Sequence, residues 1–141
     1  MTKEMILYPL LAIVILTFFV GFLLLRLRFK AVKQDSLNPR HFLLNKGGKA
    51  PEYMVKTEQH YLNLFELPVL FYLLVVALYV TQRVDMVQLV LAWVFVFSRV
   101  IHTAIHLTIN RLVWRMRAFV SGAVLLLLAW IYFGWNLITS P

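Results

Sequence analysis

The sequence contains no cysteine. That excludes disulfides, thiolate metal sites and a cysteine nucleophile. Acidic residues are also scarce, with 6 Asp and Glu against 14 Lys and Arg, a formal net charge of +8. In a soluble protein such an excess would point to nucleic acid. Here the basic residues flank apolar blocks and have no reading element of their own, so nucleic-acid binding is not expected. Long polar stretches are missing as well: 62% of the 141 residues are hydrophobic, and the mean hydropathy is +0.80. A soluble domain of this length could not hide that much apolar surface, whereas a bilayer tolerates it. The fold class expected is an all-α membrane protein, a single four-helix transmembrane bundle over residues 1–141.

Four apolar blocks mark the spans. They run roughly from Met5 to Phe29, Tyr53 to Val80, Met86 to Ile109 and Leu112 to Leu137, each long enough to cross with some tilt. The first block is too long for a signal-peptide core. It lacks a basic start and a small-x-small cleavage site, so it is expected to be retained. Asn38-Pro39 and Gly47-Gly48 signal turns in the first loop, and Pro68 signals a kink in the second span.

Loop charges set the expected orientation. Arg26, Arg28, Lys30, Lys33, Arg40, Lys46, Lys49 and Lys56 gather around the first loop, and Arg111, Arg115 and Arg117 around the last. The opposite side has Lys3 and Arg83, each near an acid, Glu4 or Asp85. The positive-inside rule places the basic loops in the cytoplasm, against anionic headgroups, and both termini outside. With no retention signal in view, a bacterial inner membrane is the default location. Trp130, Tyr132 and Trp135 suit an interfacial aromatic belt.

Polar residues also occur within the spans. Lys56, Gln59, Asn63 and Glu66 share one face of the second helix, and Arg99, His102, His106 and Asn110 one face of the third. Neighbours across an antiparallel helix pair keep a constant sum of residue numbers. The pairs Glu66–Arg99, Asn63–His102, Gln59–His106 and Lys56–Asn110 hold that constant to within one. A lone charge at mid-membrane costs about 2.5 to 3.5 kcal/mol on insertion scales, so a Glu66–Arg99 ion pair is expected as a buried clamp beside a polar cavity. The i, i+4 spacing of His102 and His106 can bind a metal. With no third ligand in view and Arg99 adjacent, they read as hydrogen-bonding residues of a polar pocket, and no metal is expected.

Asn63-Leu64-Phe65-Glu66-Leu67-Pro68 resembles the N-x-x-E-x-P signature of the MAPEG family, the membrane-associated proteins of eicosanoid and glutathione metabolism. Arg99-Val100-Ile101-His102-Thr103 resembles its R-x-x-H-T motif. Arg26-Leu27-Arg28, followed by Asn38-Pro39, resembles the start of the prostaglandin E synthase branch. The resemblance, which extends to the microsomal glutathione transferase type, covers nearly the whole chain.

It implies a homotrimer that takes glutathione as cosubstrate at a cytoplasmic-side site between subunits. Asn63, Glu66, Arg99 and His102 would belong to that site, with Arg26 reaching in from a neighbour and His106 available as a hydrogen-bond donor. Arg111 and Arg115 match positions where the family keeps arginines, one of which would hold the glutathione thiolate. Only the thiolate attacks, and arginine stays charged at every relevant pH. The implied activity is a glutathione-dependent transferase or peroxidase acting on a lipophilic, bilayer-borne electrophile. Departures from the family pattern fall at Gln59 and Leu62, where arginines would stand, at His106 and Phe119, where tyrosines would stand, and at Arg40 and His41, which replace acidic residues. They favour an alternative, a non-catalytic member that binds a lipid or a partner protein.

Overall fold

The structure, a computed structural model, describes residues 2–44 and 48–139. Lys46 and Gly47, assigned above to the first loop, lie outside the described residues.

A short 3-10 turn, Lys3–Ile6, leads into α1, Leu7–Gln34. One further turn of helix, α2 (His41–Leu44), sits in the first loop. The second span is two helices, α3 (Glu52–Asn63) and α4 (Leu67–Val80). The third is α5, Met86–Leu107, and the fourth α6, Leu112–Thr139. Four stretches, Lys3–Gln34, Glu52–Val80, Met86–Leu107 and Leu112–Thr139, are long and apolar enough to cross a membrane. The all-helical fold class therefore holds for the described residues.

The break between α3 and α4 follows from Pro68. It has no N–H to return to the Leu64 carbonyl, and its ring crowds the preceding turn. The chain answers with tightened turns: the Phe65 amide donates to the Leu62 carbonyl at 2.9 Å, and the Val69 amide to the Glu66 carbonyl at 3.2 Å. Elsewhere the ends are closed locally. Gln82 takes a left-handed conformation (φ 57°), which brings the Arg83 amide to the Leu78 carbonyl at 3.0 Å and closes α4. Asn110 (φ 48°) does the same after α5, donating to the Ile105 carbonyl at 2.8 Å. At the start of α5 the Asp85 carboxylate accepts from the Gln88 amide at 2.7 Å and from the Tyr132 hydroxyl of α6 at 2.8 Å.

Packing divides the bundle by depth. Near the termini an apolar core is built from Ile6 and Ile13, Phe71 to Leu78, Leu89 to Val96, and Leu126 to Phe133. Phe71 and Phe95 stack at its centre, 4.7 Å apart. A smaller apolar cluster, Leu24, Ala31, Leu37 and Met54, ties α1 to the first loop and α3 at the opposite end. Between the two lies a buried polar layer of Thr57, His60, Arg99, His102, Thr103 and His106. Leu, Phe, Val and Ile side chains cover the outside of the bundle, as hydrocarbon requires.

Candidate functional site in the polar layer

The polar layer is built by α3, α5 and α6. The α5 stripe faces inward as its spacing implied: Arg99, His102 and His106 are buried. The α3 stripe does not. Its inward face is Met54, Thr57, His60 and Leu64, while Gln59 and Glu66 are exposed and Lys56 and Asn63 half-buried. The two faces differ by one residue, a rotation of about 100° around the helix.

The expected rungs are corrected accordingly. Among the described residues Arg99 pairs with no carboxylate, and the ion pair present joins Arg28 of α1 to Glu58 of α3. Glu66 lies at the α3–α4 break, on the outside of the chain. The Asn63–His102, Gln59–His106 and Lys56–Asn110 pairings lapse with the same rotation: Gln59 is exposed, Lys56 and Asn63 are half-buried, and it is His60 of α3 that meets His102 and His106.

Arg99 is satisfied by α6 instead. Its Nη2 donates to the Ala118 carbonyl at 2.8 Å and the Phe119 carbonyl at 3.3 Å. The guanidinium carbon lies 5.4 Å from the Phe95 ring centroid and 5.6 Å from that of Phe119. Carbonyl dipoles and aromatic faces thus carry the charge.

The residue that takes the place of the expected stripe is His60, which is fully buried. Its ring centroid stands 5.4 Å from that of His102 and 4.9 Å from that of His106. The reading that the histidine pair lacks a third ligand is therefore corrected. Ring nitrogens of His60, His102 and His106 lie within 4.8 Å of one another. In the sequence His60 sat among polar neighbours without a partner. A stripe drawn one residue along, from Thr57 through His60, would have found it.

The remaining site residues line the basic end. Arg26 is exposed, its guanidinium 5.7 Å from the Phe22 ring centroid. Arg111 is exposed at the head of α6, and Arg115, half-buried, donates from Nη1 to Asn110 Oδ1 at 3.1 Å. Arg26, Asn63, Glu66 and Arg111 all reach the surface of the single chain; Arg99, His102 and His106 do not. Along α1, α3 and α4 runs an open groove of about 600 Å³, lined by Phe18, Phe22, Leu25, Arg28, Tyr61 and Phe65 among others.

Two consensus segments, the Asn63–Pro68 break and the Arg99–Thr103 turn, thus frame one polar layer in a bundle of four spans. The MAPEG family model matches residues 6–135. No curated protein and no solved structure gives a match. The chain is a multi-pass integral membrane protein and belongs to the MAPEG family.

Proposed function

We propose that the protein is a glutathione-dependent transferase or peroxidase acting on a lipophilic electrophile, at a site completed by a neighbouring copy in a homotrimer. One observation carries this reading. Glu66 and Gln59 are exposed, and Asn63 half-buried, on the outer face of a helix that crosses the bilayer. Hydrocarbon cannot satisfy such groups, so they face protein or water. A second copy supplies the former, and trimers are the assembly of this family.

The chemistry asks for a cation beside a thiol. A free thiol titrates near pH 8.5, and the thiolate is the nucleophile. Arg115, braced by Asn110, holds the sulfur as its anion, with Arg111 beside it at the head of α6. Arg26, Asn63 and Glu66 bind the charged body of glutathione, whose carboxylates suit arginine. The thiolate sulfur then bonds to the electrophilic carbon as the leaving group departs with its electron pair. The groove along α1 admits the lipophilic partner from the bilayer. Arg99, His102 and His106, enclosed within the chain, form the wall behind this site. In this reading the basic loops face the cytoplasm, where glutathione is abundant, and both termini lie outside.

Purified protein in detergent is expected to turn over a chromogenic electrophile with glutathione, and Arg115→Ala to lower the rate by about 100-fold or more. Absence of turnover together with absence of glutathione binding by calorimetry overturns the proposal. Gln59, Leu62 and Phe119, which withhold two cations and a phenol at family positions, favour a second reading, a non-catalytic member that binds lipid or a partner protein. Saturable lipid binding with no heat from glutathione marks that outcome.

A further inference from the structure

We infer that His60, His102 and His106 form a binding site for a borderline transition-metal cation of the zinc and cobalt class, with one coordination position left open. The inference is independent of the glutathione reading.

Three imidazoles converge from two helices. His102 and His106 are one turn apart on α5, and His60 meets them from α3. All three side chains are buried, at 0%, 2% and 1% exposure for His60, His102 and His106. Their donor atoms lie within 4.8 Å of one another. A tetrahedral shell with bonds of about 2.0–2.1 Å sets its nitrogens about 3.4 Å apart. The separation exceeds that spacing by at most about 1.4 Å, so binding asks for ring displacements of about an ångström.

Hydrogen bonding prepares one of the rings. The Thr103 hydroxyl donates to the Arg99 carbonyl at 2.8 Å, which uses its only hydrogen. Its oxygen, 2.9 Å from His60 Nε2, can then only accept. His60 must carry its proton on Nε2, which leaves the Nδ1 lone pair free on the buried side. This is the second-shell arrangement typical of a metal-bound imidazole. That Nδ1, both nitrogens of His102 and Nδ1 of His106 are buried without hydrogen-bond partners among the described residues. A buried polar group left unmet is unfavourable. A single cation, taking one nitrogen from each ring, would satisfy three of these four.

The donor set selects the cation. Three neutral imidazoles suit zinc, cobalt, nickel or copper, whereas magnesium and calcium require oxygen ligands. Three protein ligands leave a fourth position for water or an anion. Arg99, on the same helix, and Arg115 both set positive charge against a bound cation; the Arg99 guanidinium is partly compensated by the α6 carbonyls of Ala118 and Phe119 that it binds.

The test uses full-length protein in detergent, free of any histidine tag, titrated with Co²⁺ alone and, separately, with Zn²⁺ alone. Expected is binding of about one cation per chain, with the intense visible bands of tetrahedral cobalt. His60→Gln is expected to reduce bound cobalt to background. Thr103→Val, which keeps all three imidazoles and removes the brace, is expected to weaken binding about 10- to 100-fold. His41→Gln, outside the cluster, should bind as the wild type does. Gel filtration and helical circular dichroism report whether each variant keeps its fold. If His60→Gln unfolds, Thr103→Val decides alone. The inference is overturned if folded wild-type protein shows no tetrahedral cobalt bands and retains no zinc, or if His60→Gln or Thr103→Val, correctly folded, binds as tightly as the wild type. Loss of glutathione turnover with cobalt binding intact would remove the proposed function and leave this site standing.

Discussion

The Arg99 guanidinium occupies the space that a side chain at position 122 would fill. A Cβ built on Gly122 would lie 2.0 Å from Arg99 Nη2 and 2.6 Å from its Cζ. The missing side chain opens the wall of α6 and lets a buried cation reach the Ala118 carbonyl at 2.8 Å. One glycine thus accommodates an arginine that has no carboxylate partner among the described residues.

Gly122→Ala is therefore expected to destabilise the protein. The guanidinium must swing away and give up its bond to Ala118, which leaves a buried charged donor unmet at a cost of about 3 kcal/mol or more. Gly134→Ala, in the same helix but with nothing within 4 Å of the new Cβ, supplies the control. It should be neutral or stabilising by up to about 1 kcal/mol, the helix-propensity gain of alanine over glycine. Thermal unfolding of the two variants in one detergent separates packing from propensity. Equal melting temperatures would contradict the placement of Arg99.

Glu66→Gln and Arg99→Met are expected to act independently. A buried clamp between them would make the loss of Glu66 costly only while Arg99 is present. The structure instead leaves Glu66 exposed at the α3–α4 break and turns Arg99 toward α6. The coupling energy from a double-mutant cycle should stay within about 0.5 kcal/mol of zero. A larger value would bring the two residues back into contact.

The contrast between α3 and α5 shows which parts of the site were legible beforehand. Span number and the break before Pro68 could be read because hydropathy and a missing N–H act locally, whatever the tertiary context. The inward turn of Arg99, His102 and His106 could be read because no other face of α5 is polar. On α3 the case was different. Lys56, Thr57, Glu58, Gln59 and His60 are consecutive and polar, so hydropathy there gives no preferred direction. Constant residue-number sums fix the depth at which two helices meet but not the rotation of either one. A face turned by one residue satisfies them equally well. The charged side chains of α3 lie off the seam, because burial favours the groups cheapest to desolvate: a threonine, an imidazole, a methionine and a leucine. Gly122 gave no signal at all, since its role depends on an arginine of a different helix.

Asp85→Ala is expected to loosen the end of the bundle near the termini. The carboxylate caps α5 through the Gln88 amide at 2.7 Å and accepts the Tyr132 hydroxyl at 2.8 Å. Loss of an N-cap alone costs about 0.5–2 kcal/mol. Tyr132→Phe removes the second bond and leaves the cap, so it should cost less than Asp85→Ala. The ranking is read from melting temperatures. If Tyr132→Phe proved the more harmful, the cap would not be what holds this end.

The absence of cysteine makes the orientation directly measurable, because any cysteine introduced is the sole thiol. Thr2→Cys and Lys49→Cys place exposed thiols at opposite ends of the bundle. If the basic loops lie in the cytoplasm, a membrane-impermeant maleimide added to intact cells will label Thr2→Cys at once. Lys49→Cys will be labelled only after the membrane is opened. The reverse pattern would place Arg111 and Arg115 outside the cell, away from the cytoplasmic glutathione pool. The charge asymmetry of the loops would then need a cause other than topogenesis, and the proposed thiolate site would lose its cosubstrate.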